Sequence, residues 1–174
     1  MKNFEDLTVV IVTYRTDKNI LFKCIDSINN EIQIILVENG NDRTLKQEIE
    51  NRYKNVKVIL SEKNLGYGGG NNLGYEHNKT RYFFVSNPDT IYPKDFFNQI
   101  KNYINKDIEF SIIGASYPNH DNYLSYGGFS NESTEKLKVL DYNDDNLKSV
   151  DWVVGCSMLI DLHNLKTDHL FDEN

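Results

Sequence analysis

The sequence predicts an α/β fold built on a mostly parallel sheet, and three observations carry that prediction. Short apolar runs rich in β-branched residues alternate with segments of helical period from Leu7 to Ile104. These runs are continuous rather than alternating, which suits strands covered on both faces. Their order, βαβαβαβα, implies parallel neighbours joined by right-handed crossovers.

Leu7 to Thr13 reads LTVVIVT and is the first strand. Ile20, Leu21, Cys24, Ile25 and Ile28 then recur at helical spacing. Ile32 to Val37 is a second buried strand, and Leu45, Ile49 and Tyr53 mark one face of a second helix. Val56 to Leu60 supplies the third strand. A glycine-rich segment, Gly66 to Gly74, reads as tight backbone turns leading into a short helix that ends near His77. Tyr82 to Val85 is the fourth strand, closed by Asn87-Pro88-Asp89, and Phe96, Phe97, Ile100 and Ile104 line the next helix. Beyond Phe110 the pattern changes. Ser111 to Ala115 suits a fifth strand, the polar stretch from Tyr117 to Asp145 suits loops or short hairpins, and Val150 to Ile160 returns to the sheet. A weak helical pattern runs through the last residues to Asn174.

Composition narrows the function classes. The chain has 174 residues, 39% of them hydrophobic, enough for one domain with a substantial core. Its net charge of −7 argues against nucleic acid as a partner. No apolar stretch approaches the ~18 residues of a membrane span. Cys24 and Cys156 lie far apart in apolar patterns, which is no disulfide or zinc framework, so a reducing, cytoplasmic setting is expected. One alanine against 23 asparagines reads as compositional bias, so asparagine alone marks no site. His77, His120, His163 and His169 show no paired ligand spacing.

In an open parallel sheet, ligands bind beyond the carboxyl ends of the strands, where strand order reverses. The loops there are Thr13-Tyr14-Arg15, Glu38 to Arg43, Ser61 to Gly70 and Ser86 to Thr90. GYGGGNNLG resembles a phosphate cradle but fits neither the dinucleotide fingerprint nor the Walker template, since Tyr75-Glu76 replaces Lys-Ser/Thr. Asp89 is more telling. It follows an apolar strand and a proline that stiffens the turn, where a carboxylate can hold a hard divalent cation with phosphate oxygens completing the shell. Such an ion would let an acidic chain with only four arginines hold a diphosphate.

Taken together, six segments resemble glycosyltransferase family 2, the inverting nucleotide-sugar enzymes of GT-A fold, and its rhamnosyltransferase-like branch in particular. They are VVIVTYRTD (9–17), ILVENGND (35–42), NLGYGGGNN (64–72), FVSNPDT (84–90), DWVVGCSMLI (151–160) and FDEN (171–174), in family order across nearly the whole chain. The resemblance implies a three-layer α/β/α sandwich forming a single domain over 1–174, with 1–90 as the nucleotide-binding half and 91–174 as the start of the acceptor half. It implies that Thr13 and Tyr14 line a base and ribose pocket, with Arg15 also among the nucleotide-sugar-binding residues. Glu38, where the family commonly has Asp, would accept the ring N–H of a pyrimidine. Asn64, Gly66, Gly68, Gly69 and Asn71 would lie along the donor, with Asn87 and Asp89 at the diphosphate. Asp89 matches the last residue of the metal-binding Asp-x-Asp motif, for Mn²⁺ or Mg²⁺, and Asn87 replaces the first acid. Trp152, Gly155 and Cys156 match a segment beside the sugar and acceptor.

The implied reaction moves a sugar from a UDP- or dTDP-sugar to a glycan or lipid-linked acceptor in polysaccharide biosynthesis. A lipid-linked acceptor implies peripheral association with the inner face of the membrane; oligomeric state is not legible. In the family the general base follows the FDE motif, so the base is expected beyond Asn174, with Asp172, Glu173 and Asp151 as lesser candidates. The chain is accordingly expected to be incomplete at its carboxyl end. The competing reading is a nucleotide-sugar-binding module without turnover. A sugar nucleotidyltransferase should carry a basic, glycine-rich loop after the first strand, which YRTDKN does not supply.

Overall fold

The computed structural model describes residues 4–106, 109–115, 117–118, 124–125, 128–131, 136–139, 149–165 and 167–172. The expected alternation is present as β1 (Leu7–Thr13), α1 (Lys18–Ser27), β2 (Gln33–Glu38), α2 (Arg43–Arg52), β3 (Val56–Leu60), α3 (Gly66–Glu76), β4 (Tyr82–Ser86) and α4 (Phe96–Asn105). There follow β5 (Ile112–Gly114), two small antiparallel pairs and β10 (Ser157–Asp161). The pairs are β6 (Tyr117–Pro118) with β7 (Leu124–Ser125), and β8 (Gly128–Asn131) with β9 (Lys136–Val139). The main sheet has the order β3-β2-β1-β4-β10-β5. β1, β2, β3 and β4 pair in parallel, whereas β10 runs antiparallel to both β4 and β5.

β1 is central and buried on both sides, as its unbroken apolar run requires. Val9 and Ile11 face one layer, where Leu21, Cys24, Ile49 and Phe97 of α1, α2 and α4 pack. Val10 and Val12 face the other, formed by α3 and by Leu165, Leu170 and Phe171 of the C-terminal segment. Helix starts are fixed locally. Asp17 accepts from the N–H groups of Asn19 (2.9 Å) and Ile20 (3.3 Å), and Asp42 accepts from Leu45 N–H (2.9 Å).

The glycine segment differs from expectation: it is the helix itself, beginning at Gly66, and not a set of turns before one. Only Gly66 needs a left-handed backbone, at φ 70°. Gly70 and Gly74 serve a different purpose. A Cβ on Gly70 would lie 2.6 Å from Val12 Cγ1, and one on Gly74 2.6 Å from Val10 Cγ1. Their absence lets α3 lie directly against β1.

Two further expectations are corrected. Of Val150 to Ile160, only Ser157 onward is strand. The described residues after Asp161 form a turn and an irregular tail rather than a helix. The reason is α3, whose Asn72 side chain pairs with the tail backbone as a strand would. Its Nδ2 donates to Phe171 C=O (2.9 Å) and its Oδ1 accepts from Leu170 (3.1 Å) and Phe171 (3.0 Å) N–H groups. Among the described residues no helix is long and apolar enough to cross a membrane.

At the opposite end of the sheet from the loops after β1 and β4, Arg81 grips buried Asp161 with two bonds of 2.9 and 2.6 Å. Burial pushes the Asp161 carboxyl up, but the Arg81 hydrogen bonds and charge, with the His163 N–H, together hold it below the usual range.

Two outcomes follow from this packing. Gly74→Ala should lower stability to urea by about 1–3 kcal/mol, because overpacking against a β-branched strand residue outweighs the ~1 kcal/mol gain in helix propensity. A more stable variant would show that the close approach is not limiting. Asp161→Asn should destabilise the chain at pH 7. The group's folded pKa is depressed, so its contribution is present above the unfolded pKa and fades as pH falls through the folded one. The gap between variant and parent should therefore narrow in acid unfolding curves.

Candidate functional site

Strand order reverses at β1: the chain moves outward through β2 and β3, then returns to place β4 on the other side. The carboxyl ends of β1 and β4 are the switch point where α/β sheets bind ligands. Loops after β1, β2 and β3 surround a cleft of about 390 Å³, lined among others by Tyr14, Arg15, Lys18, Glu38, Lys63 and Asn64.

Asn39 ties these loops together. Its backbone N–H donates to Thr13 C=O (2.8 Å), its Nδ2 to Gly66 C=O (3.0 Å), and its Oδ1 accepts from Ser61 Oγ (3.1 Å). Ser61 N–H in turn donates to Glu38 C=O (3.1 Å). Sequence reasoning placed Asn39 only in a loop. Its signal was an amide directly after a buried strand, opposite a serine ending the next.

Glu38 is 2% exposed, and its carboxylate folds back on its own turn. Oε1 accepts from Gly40 N–H (2.9 Å) and Oε2 from Asp42 N–H (2.5 Å). A Cβ on Gly40 would sit 2.8 Å from Oε1, so a side chain there would have to displace the carboxylate from this arrangement. Glu38 thus shapes the cleft wall before it meets any ligand. Arg15 (φ 55°) and Asn41 (φ 58°) are the described non-glycine residues with left-handed backbone, both in the cleft lining. Asparagine tolerates this conformation, but arginine does so at a cost typical of functional loops. The Arg15 guanidinium lies 5.0 Å above the Tyr14 ring.

Of the residues singled out from sequence, Tyr14, Arg15, Glu38 and Asn64 line the cleft. Thr13 lies beneath it with its Oγ1 buried and unpartnered. Asn64 Oδ1 accepts from Gly66 N–H (2.9 Å) and opens α3. Gly69 and Asn71 are buried in α3, and a Cβ on Gly68 would meet Asp172 C=O at 2.9 Å, so none of these three lines the cleft. Lys18 and Lys63, not singled out, bring cations to the cleft, although Lys18 also pairs with Glu48 at 2.7 Å.

The turn after β4 is separately anchored. Asn87 N–H donates to Cys156 C=O (3.2 Å), while Asn87 C=O accepts from Thr90 N–H (3.3 Å) and Ser86 Oγ (3.1 Å). Asp89 projects from this turn, exposed, and its carboxylate makes no hydrogen bond or ion pair among the described residues. The Gly155–Cys156 segment is held from both sides, since Tyr67 OH donates to Gly155 C=O. Trp152 is half-buried, with its Nε1 buried and unpartnered, and Asp151 and Asp172 are exposed. Glu173 and His120 lie outside the described residues. No three His, Cys, Asp or Glu side chains cluster as a metal site among the described residues. A lone exposed carboxylate on a rigid turn instead fits a cation that takes most of its shell from a bound diphosphate and water.

A family model described as glycosyl transferase family 2 matches residues 8–159. The chain is 26% identical, over 165 residues, to the low-salt glycan biosynthesis hexosyltransferase Agl10 of Haloferax volcanii, covering 90% of this chain and 52% of that protein. It therefore spans about half the length of that relative. Two solved structures are similar. One is S. aureus TarS in complex with UDP-GlcNAc, with a TM-score of 0.53 and 18% identity over 63% of this chain and 33% of that one. The other is the mannosyltransferase PcManGT of Pyrobaculum calidifontis with GDP-Man and Mn²⁺, with a TM-score of 0.56 and 12% identity over 65% and 36%. At these identities the structural likeness carries the fold, which is GT-A.

Glu38→Gln should destabilise the ligand-free chain by about 1–3 kcal/mol, because an amide NH₂ must then face one of two backbone N–H donors. Urea unfolding checks this, and an unchanged midpoint would return Glu38 to a purely ligand-facing role.

Proposed function

The chain belongs to glycosyltransferase family 2, and from that premise we propose that it binds a nucleotide-diphosphate sugar across the carboxyl ends of β1–β4 for transfer to a glycan or lipid-linked acceptor. The observation that carries this is the pairing of two polar features at one switch point. A cleft faces β1–β3, and an anchored turn on β4 presents a free carboxylate. The first suits a nucleoside and the second a diphosphate.

In this reading Tyr14 and the Glu38–Asp42 turn flank base and ribose, while Arg15 and Lys63 offset phosphate charge that a chain of net charge −7 would otherwise repel. A divalent ion held by Asp89, Mn²⁺ or Mg²⁺, would neutralise the departing diphosphate. The chain's own residues bind and orient the donor, and orientation is a major source of rate. The acceptor oxygen attacks the anomeric carbon from the face opposite the diphosphate. The bond from that carbon to the diphosphate oxygen breaks, an ionised carboxylate acting as general base takes the hydroxyl proton, the diphosphate leaves with the bonding pair, and configuration inverts.

Calorimetry with UDP, dTDP, CDP, ADP and GDP, with and without Mn²⁺, tests the reading. UDP and dTDP should bind most tightly, and Asp89→Ala should lose about tenfold in affinity with Mn²⁺ and little without it. Equal affinity in variant and parent would remove the metal role. Tighter binding of ADP or GDP by the parent would overturn the base assignment. Transfer from radiolabelled donor to a lipid-linked glycan is the companion assay.

A further inference from the structure

Beneath the Asn87-Pro88-Asp89 turn lies a polar cluster that none of the site residues accounts for. Tyr92, Ser86, Ser157 and Cys24 are all buried, at 6%, 1%, 5% and 0% exposure. Tyr92 OH donates to Ser86 Oγ (2.8 Å) and lies 3.2 Å from Ser157 Oγ. Ser86 Oγ donates to Asn87 C=O (3.1 Å), and Cys24 Sγ donates to the same carbonyl (3.4 Å). Burial pushes the Cys24 thiol up to about 11, so it stays protonated and keeps its donor.

Apolar packing does not call for these groups. The Tyr92 ring sits among Phe96 (4.7 Å), Phe97 (5.1 Å) and Phe84 (5.8 Å), where a phenylalanine would pack as well. Buried hydroxyls are costly unless fully bonded, and a bonded network holds its members to one arrangement. Here Ser86 and Cys24 donate directly to one acceptor, the Asn87 carbonyl, two residues from the Asp89 carboxylate, and Tyr92 and Ser157 reach it through the Ser86 hydroxyl.

We infer that Tyr92, Ser86, Ser157 and Cys24 form a buried bracket that fixes the height and direction of the Asn87-Pro88-Asp89 turn, making Tyr92 a positioning residue for the diphosphate end of the donor. This rests on the donor-binding reading above. The bracket draws on three elements, with Cys24 from α1, Ser86 from β4 and Ser157 from β10, so the turn moves only if the layers move. Tyr92 acts through the turn and does not touch the donor.

The test compares the parent with Tyr92→Phe, and with Cys24→Ala and Cys24→Ser, by two readouts. The first is amide exchange at Thr90, whose N–H donates to the Asn87 carbonyl. The second is UDP affinity with and without Mn²⁺. Tyr92→Phe should speed Thr90 exchange by about tenfold and shrink the Mn²⁺-dependent gain in affinity by about fivefold. Its metal-free affinity should stay within about twofold of the parent, since the cleft residues are untouched. Cys24→Ala should move both readouts the same way, and Cys24→Ser, which restores an O–H donor, should reverse them. Unchanged exchange and an unchanged Mn²⁺ gain in folded Tyr92→Phe would overturn the inference. So would equal losses with and without metal, which mark a merely structural role. If Tyr92→Phe does not fold, the Cys24 pair decides on the same readouts. If the parent gains nothing from Mn²⁺, the metal role of Asp89 fails while Thr90 exchange still decides the bracket; if the parent binds no UDP at all, the donor reading fails.

Discussion

The arrangement at the carboxyl ends of the sheet depends on how closely α3 approaches β1. Two missing side chains, at Gly70 and Gly74, bring the helix onto Val12 and Val10. From that seat its first two turns reach three places. The Gly66 carbonyl meets Asn39 at the cleft, Tyr67 meets Gly155, and Asn72 holds the C-terminal tail. A helix lifted by one methyl group would loosen all three. Five of the eleven residues of α3 are glycine or asparagine at buried positions, poor helix formers at about 0.5–1 kcal/mol each against alanine. Its stability is therefore tertiary rather than intrinsic.

The proposed donor is an anion, and the cleft of this acidic chain is arranged so that several of its carboxylates are already occupied. The Glu38 charge is satisfied by two backbone N–H groups of its own turn, so it is spent on shape. Asp17 and Asp42 are likewise occupied as helix caps. What remains facing the cleft is less acidic than the sequence suggests, with Arg15 and Lys63 among its lining. The walls are bonded internally before any ligand arrives, which lowers the ordering cost of binding.

Much of the fold was legible because the strands are long apolar runs and the helices carry clear periodicity. β1 and β3 coincide with their expected bounds. The glycine segment misled because composition favours turns, whereas the deciding factor is a contact with β1 that no local pattern contains. The tail misled for a related reason: its weak helical pattern is local, yet the Asn72 side chain of α3 takes up the backbone of Leu170 and Phe171. At the site, Tyr14, Arg15, Glu38 and Asn64 were visible as polar residues just past strands. The inward fold of the Glu38 carboxylate, the hub at Asn39 and the cluster under Asp89 depend on which loops and layers meet, and sequence spacing does not encode that.

The insertion of β10 between β4 and β5 has a consequence for how the chain is made. β1 to β4 can pair among themselves as soon as Ser86 leaves the ribosome, but β4 then carries an open edge of five residues, YFFVS, all buried in the finished fold. Its partner comes much later; Ser157, which pairs with Ser86, lies 71 residues beyond it. Throughout that interval the nascent chain presents Phe83, Phe84 and Val85 beside unpaired backbone, the kind of edge that recruits other strands. An edge left open for that long raises the demand for chaperone cover during synthesis.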